Sequence, residues 1–316
     1  MTITIAIPSY NKEAQIARCI ESVLENASEI DNIILVDNCS TDKTFEIAKS
    51  YEPRITCIQN ETNLGMSGNF NRCIELCKSD WLMIFHADDV MLPNAIEKYR
   101  TLIKKHPEIG LIHADSYTIT EGDETTRTHH PRKTDELYAA GAKALTCPYG
   151  VCSAVMVKKE AYDKLGGFIE SSLSSDVEMW ARVASNYPVG SINEPTVVYY
   201  SSIKSTGPQS LVNRSIAEIK ADWDNLTNQI ASIYPEGEAR TQYLKNIDAG
   251  APGAYWTVIK ANLRAKNWRN VIDGFKLIIV DYHGLWPLLK IIIDTIKRRT
   301  VSKFFPSSPA AHQHVE

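Results

Sequence analysis

The 316 residues contain no apolar run long enough to span a bilayer, because the hydrophobic stretches near the C-terminus are broken by Asp281, His283 and Asp294. No Gly-x-Gly-x-x-Gly follows the first apolar segment and no Gly-Lys-Ser/Thr occurs anywhere, which argues against dinucleotide-binding and P-loop sites. The seven cysteines, at 19, 39, 57, 73, 77, 147 and 152, are odd in number and lack zinc-type pairing. Several fall within apolar elements, so they read as reduced core thiols. Neither sign of charge dominates, with 34 Lys and Arg against 38 Asp and Glu. The first two hundred residues carry no basic stripe interleaved with aromatics, so nucleic acid is not the expected partner. Met1 leads straight into Thr2-Ile3-Thr4-Ile5-Ala6-Ile7, without the charged start and apolar core of a signal peptide. The active domain is therefore expected to face the cytoplasm.

What is present is a regular alternation. Ile3 to Ile7, Ile33 to Val36, Ile55 to Ile58 and Trp81 to Phe85 are short β-branched or apolar runs and predict strands. Helices are predicted between and after them, over Ala14 to Glu25, Thr44 to Tyr51, Gly68 to Cys77 and Asn94 to His106. In the first, Ile16, Cys19, Ile20, Val23 and Leu24 recur at spacings of three and four and form one apolar stripe. Strands separated by helices must be mostly parallel and covered on both faces, which places function in the loops at their carboxyl ends.

The most informative of these loops holds Asp88 and Asp89, adjacent carboxylates that close an otherwise apolar strand. Such a pair offers hard oxygen ligands where open α/β sheets bind ligands, and where a divalent cation could hold a diphosphate. Alone, it also suits a solvated turn before the helix after Pro93. In the loop Asp37 to Asp42, Ser40 or Thr41 fits an N-cap with Asp42 complementing the helix dipole. Asp37, last in its strand, has no such role and could accept a hydrogen bond from a base or ribose. Tyr10 offers an aromatic face for stacking.

Pro8-Ser9-Tyr10-Asn11-Lys12 after strand one, Val36-Asp37-Asn38-Cys39-Ser40-Thr41-Asp42 after strand two, Asn63-Leu64-Gly65, and Ala87-Asp88-Asp89 with Pro93 together resemble the family 2 glycosyltransferases. The similarity continues through Gly166-Gly167-Phe168 to Ser175-Asp176-Val177-Glu178-Met179-Trp180-Ala181-Arg182, which looks like that family's acidic acceptor-site motif. The resemblance covers roughly the first two hundred residues. It implies a GT-A fold, an α/β domain with a mixed, mostly parallel sheet flanked by helices, and an inverting transfer of sugar from a nucleoside-diphosphate donor linked to UDP, GDP or dTDP. It implies that Pro8, Tyr10, Asn11, Asp37, Asn38, Asn63, Gly65, Asn71 and Asp88 line the donor site, with Asp88 on the ribose. Asp89 would bind Mn²⁺ or Mg²⁺, and Asp176 would be the catalytic base. Ser175-x-x-Glu178 also fits a capping box, which assigns Glu178 mainly to the helix start. Glu178 and Trp180 are the candidates on the acceptor side, although Trp180 suits core packing at least as well.

Some positions depart from the family pattern. His86 stands where relatives are often acidic; it could be a hydrogen-bond donor behind the site but reads more readily as strand packing, and not as a ligand. Asn69-Phe70-Asn71 replaces a common Ala-Arg-Asn, which leaves Arg72 as a substitute contact. Ser201 to Ser205 lacks a histidine, and Lys204 is the candidate to neutralise phosphate in its place. The stretch His129 to Lys133 is expected to form a mobile loop over the acceptor side.

The expected organisation is a catalytic domain over 1–211, with a nucleotide-sugar half at about 1–110 and an acceptor half at about 111–211. A helical region would follow over 212–305, then a disordered tail over 306–316. From Trp256 to Lys303 there are ten Lys or Arg against three Asp, with Trp268 and Trp286 interspersed. A basic helix near Gly284 to Lys303 would suit peripheral contact with a membrane carrying a lipid-linked sugar acceptor. The activity expected is transfer to an acceptor hydroxyl in surface polysaccharide or glycolipid synthesis. Two other readings are a non-catalytic nucleotide-binding or membrane scaffold and a sugar-nucleotide pyrophosphorylase; the latter lacks its Gly-rich basic first loop.

Overall fold

A computed structural model describes residues 1–29, 31–120, 123–129, 135–141, 150–169, 175–201, 214–234 and 236–281. The chain divides into two compact units, Met1–Lys204 with Asn228–Pro235, and Ser205–Thr227 with Glu236–Glu316.

The first unit is built on one sheet. Its strands are β1 (Ile3–Ser9), β2 (Asn32–Asp37), β3 (Thr56–Gln59), β4 (Trp81–Ile84), β5 (Val90–Met91), β6 (Leu111–Thr120), β7 (Asp123–His129), β8 (Leu137–Tyr138), β9 (Val155–Lys158) and β10 (Val189–Ser201). They run in the order β3-β2-β1-β4-β9-β6-β10-β5, with β7 on β6 and β8 on β10. The first four in space are parallel. Direction reverses at β9, which lies antiparallel to both β4 and β6. The helices are α1 (Ile16–Leu24), α2 (Thr44–Lys49), α3 (Gly65–Leu76), α4 (Ala95–Lys105), α5 (Lys159–Leu165) and α6 (Ser175–Asn186).

Burial explains the pattern. In β1, residues 3–7 are all buried, because a central parallel strand is covered on both faces. The α1 stripe of Ile16, Cys19, Ile20 and Val23 packs against Ile3, Ile5 and Ile7 in the main core, together with Trp81, Met83, Phe85 and Tyr99. Cys19, Cys73, Cys77 and Cys152 are buried free thiols, and burial pushes all four above the usual thiol range.

At the amino edge of the sheet Arg100 reaches the carboxylate of Asp31, the Ser28 hydroxyl and the Met1 carbonyl. Burial acts to raise the Asp31 pKa, but hydrogen bonds from Arg100 and Ser28 outweigh it and hold that carboxyl below its ordinary value. A lowered pKa contributes stability above the normal Asp range, and that stability is lost as pH falls through the folded value. Arg100→Met should cost about 3–5 kcal/mol at neutral pH, since it strands a buried carboxylate. Urea midpoints of the two proteins should converge as pH is lowered toward 3.

The second unit is helical, with α7 (Ile216–Ile233, whose last residues join the first unit), α8 (Glu238–Arg264) and α9 (Trp268–Asp281). Tyr255, Ile259, Val271 and Ile278 form its core. Among the described residues no helix is long and apolar enough to cross a membrane. The expected basic helix at 284–303 and the tail at 306–316 lie outside the described residues.

Candidate active site

The carboxyl ends of β1, β2 and β4 converge with the ends of α3, α6 and β10. Three residues there, Asn11, Cys39 and Gly65, adopt left-handed backbone with φ of 51°, 63° and 72°. Only glycine takes this region without cost, so the loops are held by side chains. Asp37 has no exposed surface and accepts from Ser9 Oγ, Ser40 N, Ser40 Oγ and Gln59 Nε2. Asn38 donates to Asn63 Oδ1 and the Gly65 carbonyl and accepts from Asn60 and the Leu64 amide. Asn11 Oδ1 accepts the Thr41 amide, and its own amide donates to Ser40 Oγ. This mesh fixes the loops that carry Tyr10, whose side chain is left 45% exposed. Pro8 lies in β1 opposite Val36, one residue before the strand ends.

The β4 loop brings His86, Asp88 and Asp89 together, with one ligand-capable atom of each within 4.8 Å of the others. His86 Nε2 is buried and has no hydrogen-bond partner among the described residues, while the ring stacks on Phe70 at 5.7 Å. Asp89 is fully buried and accepts from Ser153 Oγ at 2.5 Å and from the Tyr200 amide at 3.0 Å. Burial pushes its carboxyl up to about 6. Asp88 is partly exposed and pairs with Lys12 Nζ at 2.5 Å. Arg18 donates to the Asp88 carbonyl at 3.3 Å and lies 4.0 Å over the ring of Tyr200.

Two carboxylates with an orphaned imidazole nitrogen suit a hard or borderline divalent cation such as Mg²⁺ or Mn²⁺. They also explain the disfavoured burial of Asp89, since a cation would supply the charge that its surroundings lack.

Asp176 is the second residue of α6, with the Val177 amide donating to its Oδ1 at 2.9 Å. Its side chain is half-buried, and desolvation raises its pKa, opposed by the Val177 hydrogen bond and by His86. Tyr199 lies within electrostatic reach of all three acids. Burial, then the charges of Asp89, Asp88 and Asp176, push its hydroxyl upward. The start of α6 is fixed to that of α3 by a buried contact between Ser67 Oγ and Ser175 Oγ at 2.9 Å.

Residues 4–166 match the profile of glycosyl transferase family 2, just over half of the chain. The chain belongs to that family. A Haemophilus influenzae protein described as an uncharacterized glycosyltransferase is 29% identical over 165 residues, covering 52% of this chain and 55% of that protein. Across the first three curated relatives, the match spans 55 to 66% of the relative's length. The fold resembles Staphylococcus aureus TarS residues 1–349, solved with UDP-GlcNAc, at TM-score 0.62 and 15% identity over 83% of this chain and 81% of that one. It also resembles the mannosyltransferase PcManGT of Pyrobaculum calidifontis, solved with GDP-Man and Mn²⁺, at TM-score 0.55 and 16% identity over 97% and 88%. The architecture is thus GT-A, with a helical C-terminal region.

In this family 2 chain several residues stand differently from the sequence expectation. His86 joins the acidic pair, so its ring nitrogen belongs to the site and not only to strand packing. Asn71, expected to line the donor site, has both polar atoms of its side chain on backbone: Nδ2 donates to the Phe168 carbonyl and Oδ1 accepts the Phe168 amide, clamping the Gly166-Gly167-Phe168 turn. Arg72 pairs with Glu75 on the surface. Glu178 is not a capping residue. Its buried carboxylate takes two bonds from Arg182, which also donates to the carbonyls of Leu165 and Gly167. Trp180 is 3% exposed and packs in the interior, with no open ring face for an acceptor. His129 ends strand β7 and contacts Asp115 at 3.1 Å, where a mobile loop was expected. His130 to Lys133 and Lys204 lie outside the described residues.

Lys12, Arg18, Ser153 and Tyr199 went unnoticed as site residues. Lys12 directly follows the Tyr10-Asn11 motif and carried the plainest signal; the other three reach the site only through tertiary packing.

The clamp can be tested by size. A Cβ on Gly167 would fall 2.2 Å from Asn71 Oδ1, so Gly167→Ala should destabilise by about 1–3 kcal/mol in denaturant unfolding. Asn71→Ala should restore part of that loss in the double variant.

Proposed function

We propose that this chain is an inverting, metal-dependent glycosyltransferase that moves a sugar from a nucleoside-diphosphate donor to a hydroxyl of a sugar or lipid-linked sugar, in building surface polysaccharide or glycolipid. The observation that carries this reading is the meeting of a cation-competent group, His86, Asp88 and Asp89, with a separate raised-pKa carboxylate, Asp176. TarS and PcManGT, which share the fold, were solved with UDP-GlcNAc and GDP-Man, the latter with Mn²⁺, which supports a nucleotide-sugar donor.

The roles follow from the chemistry. Tyr10 stacks on the nucleobase, on loops that Asp37, Asn38 and Asn63 hold in shape. Asp88 accepts from the ribose once Lys12 is drawn toward the diphosphate, and Lys12 and Arg18 add positive charge there. Asp89, with Asp88 and His86, holds Mn²⁺ or Mg²⁺; such an ion, when bound, offsets negative charge on the departing phosphate oxygen. Asp176 takes the proton from the acceptor hydroxyl as that oxygen attacks the anomeric carbon from the face opposite the leaving group. The raised pKa brings this base nearer to working pH. One carboxylate suffices because the leaving diphosphate needs no proton, unlike the sugar leaving group of a glycosidase.

The test is incubation with UDP-, GDP- and dTDP-sugars with Mn²⁺ or Mg²⁺ and a panel of sugar and glycolipid acceptors, read by NMR of the product's anomeric proton. Inverted product that requires Asp176 is expected. Retained configuration would overturn the single-displacement reading.

A further inference from the structure

Helix α9 has two apolar faces. One, with Val271 and Ile278, is buried in the core of the second unit, where Gly274 permits close approach to Ile259. The other holds Trp268, Ile272 and Ile279, spaced four and seven residues apart and therefore on one stripe. These are 61%, 53% and 37% exposed, and Val280 beside them is 71% exposed. A helix that needed only to pack on its neighbours would carry polar residues there. Exposed Arg269 and Lys276 flank the stripe, and exposed Lys266 precedes the helix. Two acids share the helix: half-exposed Asp273 lies 3.7 Å from Lys276, and exposed Asp281 ends it. Beyond the last described residue, the sequence through Lys303 adds five Lys or Arg against one Asp. A Trp-led apolar stripe edged by cations matches an anionic lipid surface, with apolar groups below the headgroups and bases among the phosphates. A protein partner of ordinary composition would not call for this excess of one sign.

We infer that the outer face of α9, centred on Trp268 and Ile272 and flanked by Arg269 and Lys276, docks the chain peripherally on anionic phospholipid. This gives the acceptor class proposed above a structural counterpart, and it is tested without turnover, so either reading can fail alone.

The experiment is co-sedimentation of the full chain with vesicles of pure phosphatidylcholine, and of phosphatidylcholine containing about a quarter phosphatidylglycerol. Binding to the anionic vesicles alone is expected, weakening with salt. The Arg269→Gln/Lys276→Gln variant should lower the partition coefficient about thirty-fold, as two bases near the surface imply. Trp268→Ser/Ile272→Ser should lower it at least tenfold. Because all four side chains are exposed, the melting midpoints should not move. Binding that both variants retain would overturn the assignment to α9. So would absence of vesicle binding, or a dimer in solution that Trp268→Ser/Ile272→Ser dissolves, which would make the stripe a contact between copies.

Discussion

Asp176→Asn is expected to lower kcat about a thousand-fold while leaving nucleotide affinity within about twofold. The argument is local. The amide keeps the size of the side chain and its Oδ1 acceptor for Val177, so the start of α6 is undisturbed. What is lost is the capacity to take a proton. Wild-type kcat/KM should fall toward acid as the base is protonated, with the midpoint displaced above the ordinary aspartate range, since burial raises this carboxyl. The residual activity of the variant should lack that limb. An equal loss of kcat and of nucleotide binding would instead make Asp176 a structural residue.

The second large effect has opposite signs on function and on stability. Asp89→Asn should abolish metal-dependent nucleotide binding, and with it turnover, yet stabilise the chelator-treated protein at neutral pH. Asp89 is buried with its carboxyl pushed up to about 6, above its ordinary value of 3.8. A folded-state pKa above the unfolded one favours the native state fully below the unfolded value, and the advantage is lost as pH rises through the folded value. Between about pH 4 and 6 the metal-free wild type should therefore lose up to about 3 kcal/mol relative to the variant. The amide can accept the Tyr200 N–H and donate to Ser153 Oγ, so both present partners are kept. Urea unfolding of the two proteins across that range, in chelator, reads the difference directly.

The nucleotide half of the fold was legible because its signals are local. Continuous burial in β1, β2 and β4 appears in the sequence as apolar runs, and the α1 stripe as period. The start of α3 was misjudged by three residues: Asn63-Leu64-Gly65 reads as loop, but Gly65 already begins the helix. The antiparallel insertion of β9 between β4 and β6 has no local signature, because it depends on pairing across the sheet. Within the site, the Asp88-Asp89 pair was visible because charge at the end of an apolar strand is anomalous. The Asn71 clamp was not legible because its partner Phe168 lies 97 residues away. Glu178 was misread for a different reason. Arg182, four residues on, stands at the spacing of an i,i+4 ion pair, a signal that the capping pattern left unread.

The most direct test of the account is the melting midpoint with UDP, GDP, CDP and dTDP, each with and without Mn²⁺ or Mg²⁺, on wild type and Asp89→Asn. The account predicts a rise with one nucleotide only when metal is present, and none in the variant. A rise that is the same without metal, or that persists in Asp89→Asn, would contradict the cation site of His86, Asp88 and Asp89.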